Sequence, residues 1–255
     1  MPEKPLVDKP SYLILGRGRW AGLIHNVLIQ GERRVTRLEE SRMRPDELES
    51  GYRARLTGEM AASGANIVWM CIPFGRWVPA IAAAALDCGL DVIAECPWLC
   101  PPEVSDSLLA VALKNRRLLG VHYEYCLLDE VHAWRNSFAG GKDCTFNGVF
   151  EISRAGRHGA VAELQLGSHL MAIRQYAVPE AGIGEVRCRF GGRDRRVVWL
   201  EREGERVSTI DFQTNRQPII QRFIQAFESG LEGAGFHFGL EFAIQVAAEA
   251  ELLNV

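Results

Sequence analysis

A chain of 255 residues, 47% apolar and 24% charged, has an ordinary globular make-up and is long enough for one large domain or two small ones. Its formal charge of −3 leaves no footprint for nucleic acid or an anionic membrane, and its longest apolar run, 77–86, is too short to cross a bilayer. The opening MPEKPLVDKP lacks the apolar core of a signal peptide. Seven cysteines, odd in number and scattered through apolar runs, point to reduced thiols in a cytoplasmic protein.

Short apolar runs of strand length fall at 12–15, 35–38, 67–72, 92–94 and 118–122, with helix-like segments between them at 21–30, 45–62, 77–88 and 102–116. Gly31 and Gly89 stand where helix C-caps belong, and Pro101-Pro102 suits a helix start. Apolar strands alternating with helices predict a parallel sheet covered on both faces. Beyond Glu124 the pattern changes. Strands are expected at 146–153, 186–190, 197–201 and 207–212, and helices at 162–176, 218–229 and 239–252. Gly-rich or charged turns separate the last three strands, which predicts antiparallel hairpins. Arg193, Arg195 and Arg196, in the stretch GGRDRR, read as part of a solvated turn. The fold class is therefore α/β: an N-terminal Rossmann parallel sheet over 1–123, then a smaller α+β domain with a mainly antiparallel open sheet over 124–255. No Pro/Ser-rich linker separates the two, so they should pack tightly.

The stretch LILGRGRWAGLIH puts Gly16, Gly18 and Ala21 at G-x-G-x-x-A spacing, between the first strand and the first helix. Gly16 allows the tight turn, Gly18 lets the backbone approach a pyrophosphate, and a small residue at 21 lets the helix pack on the sheet. The helix N-terminus supplies donors and positive potential. The pattern indicates NAD or NADP binding, against a Rossmann-like shell without a ligand. Glu39 in LEESR is placed to hold ribose hydroxyls and favours NAD, whereas Ser41 and Arg42 suit the 2′-phosphate of NADP. Arg17 and Arg19 are within reach of a phosphate, and Trp20 is placed to cover the dinucleotide. Surface charge at a loop is the bland alternative for these side chains.

With the glycine turn, NIVWMCIPFGRWVPAIAAAALDCGLDVIAECPWL, VHYEYCLLDEV and LQLGSHLMAI resemble the Gfo/Idh/MocA family, most strongly over 12–131. The resemblance implies a Rossmann domain followed by an α+β domain whose open sheet often forms a dimer or tetramer interface. It also implies hydride transfer between a nicotinamide and a small-molecule substrate, with a proton handled by a positioned acid/base. By the same resemblance Glu95 lies near the ribose or nicotinamide, Pro97 shapes the turn and Pro73 lies against the dinucleotide. Tyr123, Tyr125 and His169 line the site as its catalytic candidates, His169 as acid/base and a tyrosine hydroxyl as a proton relay, with core packing the alternative for at least one tyrosine. This chain departs from the family at the proton-handling positions: Cys96 stands for the Lys, Gln165 for the Asp and Cys126 for an Arg, leaving His169.

Strand alternation would point Tyr123 and Tyr125 to one side and Glu124 to the other. Cys96 and Cys100 form C-x-x-x-C without the second pair a zinc site needs. A nucleophilic Cys96 would need a base such as His169 and a depressed thiol pKa; otherwise Cys96 is a small filler beside the cofactor. Two readings stand: an NAD(P)-dependent oxidoreductase with altered proton chemistry, and a catalytically degenerate dinucleotide-binding protein that senses or binds a partner.

Overall fold

The computed structural model describes residues 9–38, 44, 46–47, 49–72, 75, 77–153, 161–212 and 217–253. In the first half, β1 (Tyr12–Leu15), β2 (Val35–Leu38), β3 (Ile67–Met70), β4 (Asp91–Glu95) and β5 (Leu119–His122) form a parallel sheet in the order β2-β1-β3-β4-β5. Every residue of β1, β3 and β5 is buried, as expected of strands covered on both faces. The covering helices are α1 (Arg19–Gln30), α2 (Glu49–Ala62), α3 (Val78–Asp87) and α4 (Pro102–Asn115). Successive alanines in α3 let it lie close to the sheet, and Gly89, at φ 76°, turns the chain out of it. The strand order reverses direction between β1 and β3, so a crevice opens there beyond the strands' carboxyl ends.

Glu124–Leu127 form a 3-10 turn, followed by α5 (Asp129–Ser137), β6 (Thr145–Ile152), α6 (Ala162–Gln165) and α7 (Gly167–Ala177). The single helix expected at 162–176 is thus broken at Leu166. β7 (Gly182–Phe190), β8 (Arg195–Arg202) and β9 (Glu205–Asp211) complete a second sheet in the order β7-β6-β8-β9. The hairpin prediction holds for β8–β9 but not for β7–β8. β7 instead lies parallel to β6, reached through α6 and α7, the kind of crossover a parallel pair requires. The 191–194 turn then carries the chain across the end of β6, so its glycines mark a traverse rather than a hairpin.

One face of this sheet packs on α7, with Leu170 beside Gly148. The other face carries a separate apolar patch of Val149, Val197 and Trp199, with Arg206 stacked over the indole. The two sheets fall on either side of residue 123, yet α8 (Gln217–Leu231) returns to the first sheet. There Phe223 packs on Trp69 and His122. Glu228 accepts two hydrogen bonds from Arg33, both 2.6 Å, and one from Tyr12 at 2.8 Å. α9 (Leu240–Leu252) follows and packs on α7 and β5, so both halves share one core. Among the described residues no helix is long and apolar enough to cross a membrane.

Candidate functional site

Gly16 holds φ 140°, a conformation that side-chain-bearing residues avoid, and a Cβ there would lie 2.5 Å from the Cys71 carbonyl oxygen after β3. The turn therefore sits at the strand-order reversal, and the Arg37 guanidinium donates to the Gly16 carbonyl at 2.9 Å. Gly18 is the N-cap of α1, and a Cβ on it would meet nothing within 4 Å. Among the described residues no side chain caps this helix, which leaves its first amides available to an anion such as a pyrophosphate. Ala21 is buried against the sheet, Arg19 is exposed, and Trp20 stacks on His122 with ring centroids 5.8 Å apart. Glu39, Ser41, Arg42 and Pro73 lie outside the described residues.

Glu95 ends β4 opposite His122 on β5. Its carboxylate accepts a 2.7 Å hydrogen bond from the Trp69 indole and lies 3.4 Å from His122 Nδ1. Completely buried, His122 thus joins the glycine turn, through Trp20, to the β4 acid. It lay hidden in an apolar run because only strand register brings it to Glu95. A cis peptide links Cys96 to Pro97.

The Cys96 thiol shares a 2.9 Å hydrogen bond with the Ser168 hydroxyl, which also donates to the Gln165 carbonyl at 3.2 Å. Strand β4 and helix α7 therefore meet at the position where the family resemblance expects a lysine. Burial pushes the Cys96 thiol well above its usual range; the Ser168 hydrogen bond opposes this, and the charges of Glu124 and Glu95 add to it. At neutral pH Cys96 is a protonated thiol, which removes the depressed pKa that a nucleophile needs. Cys100 is pushed up to about 12 by burial. All seven cysteines are free thiols, and among the described residues no group of three or more His, Cys, Asp or Glu has a metal-binding arrangement.

The tyrosines do not follow strand alternation, because β5 stops at His122 and the chain enters a 3-10 turn. Tyr123 is 1% exposed against Phe242; its hydroxyl has no hydrogen-bond partner among the described residues, and burial raises its pKa well above the usual value. Tyr125 packs edge-on against His169 at 5.2 Å, with Phe150 and Phe212 around it. Glu124, expected to point away, is 5% exposed and sets a carboxylate oxygen 3.9 Å from His169 Nδ1. That is an ion-pair separation, longer than a hydrogen bond. The tight turn swings residue 124 inward, which the local sequence does not reveal.

These groups surround a cavity of about 60 Å³ lined by Glu124, Tyr125, Phe150, Gln165, His169 and Arg196. Arg196 was expected in a solvated turn but lies on β8, 8% exposed. It shares a face with Val198 and Leu200, the period-2 signal that would have placed it inside. A larger cavity of about 660 Å³ adjoins it, reaching Asp129, Phe212 and Arg222.

No family model matches the chain, and a search of curated proteins finds no match. Solved structures do share its fold. The WlbA (WbpB) dehydrogenase from Thermus thermophilus, in complex with NAD and alpha-ketoglutarate, is 14% identical over 97% of this chain and 95% of its own, with a TM-score of 0.72. GenD2 from gentamicin A biosynthesis, in complex with NAD, is 14% identical over 97% and 94% of the two chains, with a TM-score of 0.74. An inositol dehydrogenase homolog from Azotobacter vinelandii, complexed with NAD+, gives 14%, 97% and 95%, and a TM-score of 0.66. The matches span both sheets. The chain therefore has the two-sheet fold of these dehydrogenases, as the resemblance read from its sequence implied.

Proposed function

We propose that this protein is an NAD(P)-dependent oxidoreductase, acting on a small molecule held between the carboxyl edge of the first sheet and the buried face of the second. The observation that carries this is the start of α1 at Gly18, uncapped by any described side chain and with room for a Cβ, at the crevice between β1 and β3. The NAD-bound structures that share the fold support it. Gly16, Gly18 and the first amides of α1 would hold the pyrophosphate, with Arg19 beside it and Trp20, Ala21, Glu95, Cys96 and Pro97 around the rest of the site. Bound there, the dinucleotide supplies a hydride donor or acceptor. Glu39, Ser41 and Arg42 are the residues through which NAD or NADP would be chosen.

His169 is the group this chain offers for moving the accompanying proton. It faces the small cavity, and Glu124 beside it stabilises the positive charge that the ring gains on taking up a proton. Tyr125 fixes the ring edge-on, whereas Tyr123 packs against Phe242 outside the lining of the small cavity. Cys96 stays protonated and holds Ser168, so the chemistry lacks an ammonium at that position. Reduction of an imine or another activated double bond suits such a site better than deprotonation of an alcohol. The outer face of the second sheet, where Val149, Val197 and Trp199 cluster under Arg206, would serve a homo-oligomer.

The neutral, hydrogen-bonded Cys96 at the lysine position favours a second reading, a dinucleotide-binding protein without turnover. Thermal-shift and NAD(P)H fluorescence titrations, followed by turnover assays with carbonyl and imine compounds, separate the two. Oxidoreductase activity lost in His169→Asn with unchanged dinucleotide affinity supports the first. Tight dinucleotide binding without turnover supports the second, and no binding overturns both.

A further inference from the structure

We propose that Arg196 is a recognition residue for a substrate carboxylate; this deepens the oxidoreductase reading by naming a substrate class. Arg196 stands in a row across three strands, with Phe150 opposite it on β6 and Phe212 beside it after β9. Cross-strand neighbours project to the same face, so the guanidinium leaves the sheet between two aromatic rings, toward α7 and His169. It lines both the small cavity with His169 and the larger cavity outside. Arg196 is the described residue common to the two linings, which places it between the larger cavity and His169.

A guanidinium carries five donors, and enclosing it without partners is costly. Arg196 is 8% exposed, yet its side chain makes no hydrogen bond among the described residues. Among the described residues its one ion-pair partner is Asp194, at 3.9 Å. Asp194 is itself committed elsewhere, accepting hydrogen bonds from the Ser153 amide at 3.0 Å and its hydroxyl at 3.1 Å. Arg222, on the far wall, is already paired with both oxygens of Asp129 at 2.9 and 2.7 Å. Among the described residues, Arg196 is thus a largely buried cation with donors to spare beside His169.

The planar fork of a guanidinium matches a carboxylate through two parallel hydrogen bonds. Charge on the walls selects among anions. Asp129, Glu130, Asp194 and Asp211 outnumber Arg195, Arg196 and Arg222 on the outer wall, and Glu124 lines the inner cavity, a balance that opposes a doubly charged phosphate more than a singly charged carboxylate. The substrate class assigned is a small oxo or imino acid whose carboxylate is held by Arg196 while the reducible carbon faces His169.

The test is calorimetric binding of pyruvate and 2-oxobutyrate against two controls, the neutral analogue pyruvamide and inorganic phosphate, with and without NAD. The wild type should bind the carboxylates at least tenfold more tightly than pyruvamide or phosphate. Arg196→Met should weaken carboxylate binding about 30-fold, as loss of a paired charge-assisted hydrogen bond requires, with pyruvamide binding unchanged. Arg196→Lys should recover part of the loss, and circular dichroism of both variants establishes folding. Equal carboxylate affinity in wild type and Arg196→Met, tighter binding of phosphate or pyruvamide, or no carboxylate binding overturns the proposal. Dinucleotide affinity, titrated separately, reports on the oxidoreductase reading: loss of NAD binding with carboxylate binding intact sinks that reading alone.

Discussion

Adding one methyl group at each glycine of the turn separates what the turn does for the fold from what it does for a ligand. At Gly16 the new Cβ would lie 2.5 Å from the Cys71 carbonyl oxygen, and φ 140° belongs to a region nearly closed to alanine. The backbone strain and the overpacking together cost about 3 kcal/mol, since either β1 or the segment after β3 must shift. For a chain of this size that lowers Tm by about 6–12 °C. At Gly18 the φ is −73° and a Cβ meets nothing within 4 Å. A less favourable N-cap and a less flexible unfolded chain roughly cancel there, within about 0.5 kcal/mol. The same methyl group would occupy the space proposed for the pyrophosphate, so Gly18→Ala should lose at least about tenfold in dinucleotide affinity, or about 1.4 kcal/mol. Thermal melts without ligand and NADH fluorescence titrations measure the two effects. Gly16→Ala melting with the wild type, or Gly18→Ala binding NADH as tightly as the wild type, would refute the reasoning.

Arg33→Met should destabilise the protein by about 2 kcal/mol in urea unfolding, because it leaves Glu228 and Tyr12 partly buried without their cation; no change in midpoint would show that α8 does not depend on this tie. His169→Asn should reduce turnover by about 100-fold or more, and Glu124→Gln by less, with dinucleotide affinity unchanged in both; equal loss of affinity would make the pair structural. Burial raises the thiols of Cys71, Cys96 and Cys126 well above their usual values and those of Cys100 and Cys188 to about 12. The unfolded chain ionises these groups from about pH 8.5, while the folded chain keeps them neutral. Their stabilising contribution is therefore complete below that pH and is lost as pH rises toward 12. Under reducing conditions Tm should be level from pH 7 to 8 and fall from pH 9 upward; a level profile to pH 10.5 contradicts the assigned burial.

Local sequence pattern was sufficient for much of this molecule. The apolar strands at 12–15 and 67–70 needed cover on both faces, so a parallel sheet with intervening helices followed. Gly16, Gly18 and Ala21 announced their turn by spacing, since the turn is made by neighbours in the chain. The β8–β9 hairpin was legible for the same reason.

Long-range pairing was not legible in that way. Nothing near 182–190 tells that β7 would lie beside β6, because the choice rests on a crossover and on which edge remains free. Glu124 was misplaced because alternation holds only while a strand continues, and the chain leaves β5 two residues earlier. Arg196 passed for a solvated turn because its charge matched its neighbours; only the packing of β8 against β6 and α7 put it inside. Cys96 could be recognised as standing where a lysine was expected, but its hydrogen bond to Ser168 lies 72 residues away in the chain. The sequence by itself determined the elements and the glycine turn, whose forces act between residues near in the chain. Tertiary structure alone decided which acids and cations face His169, since burial and charge pairing depend on what arrives from elsewhere.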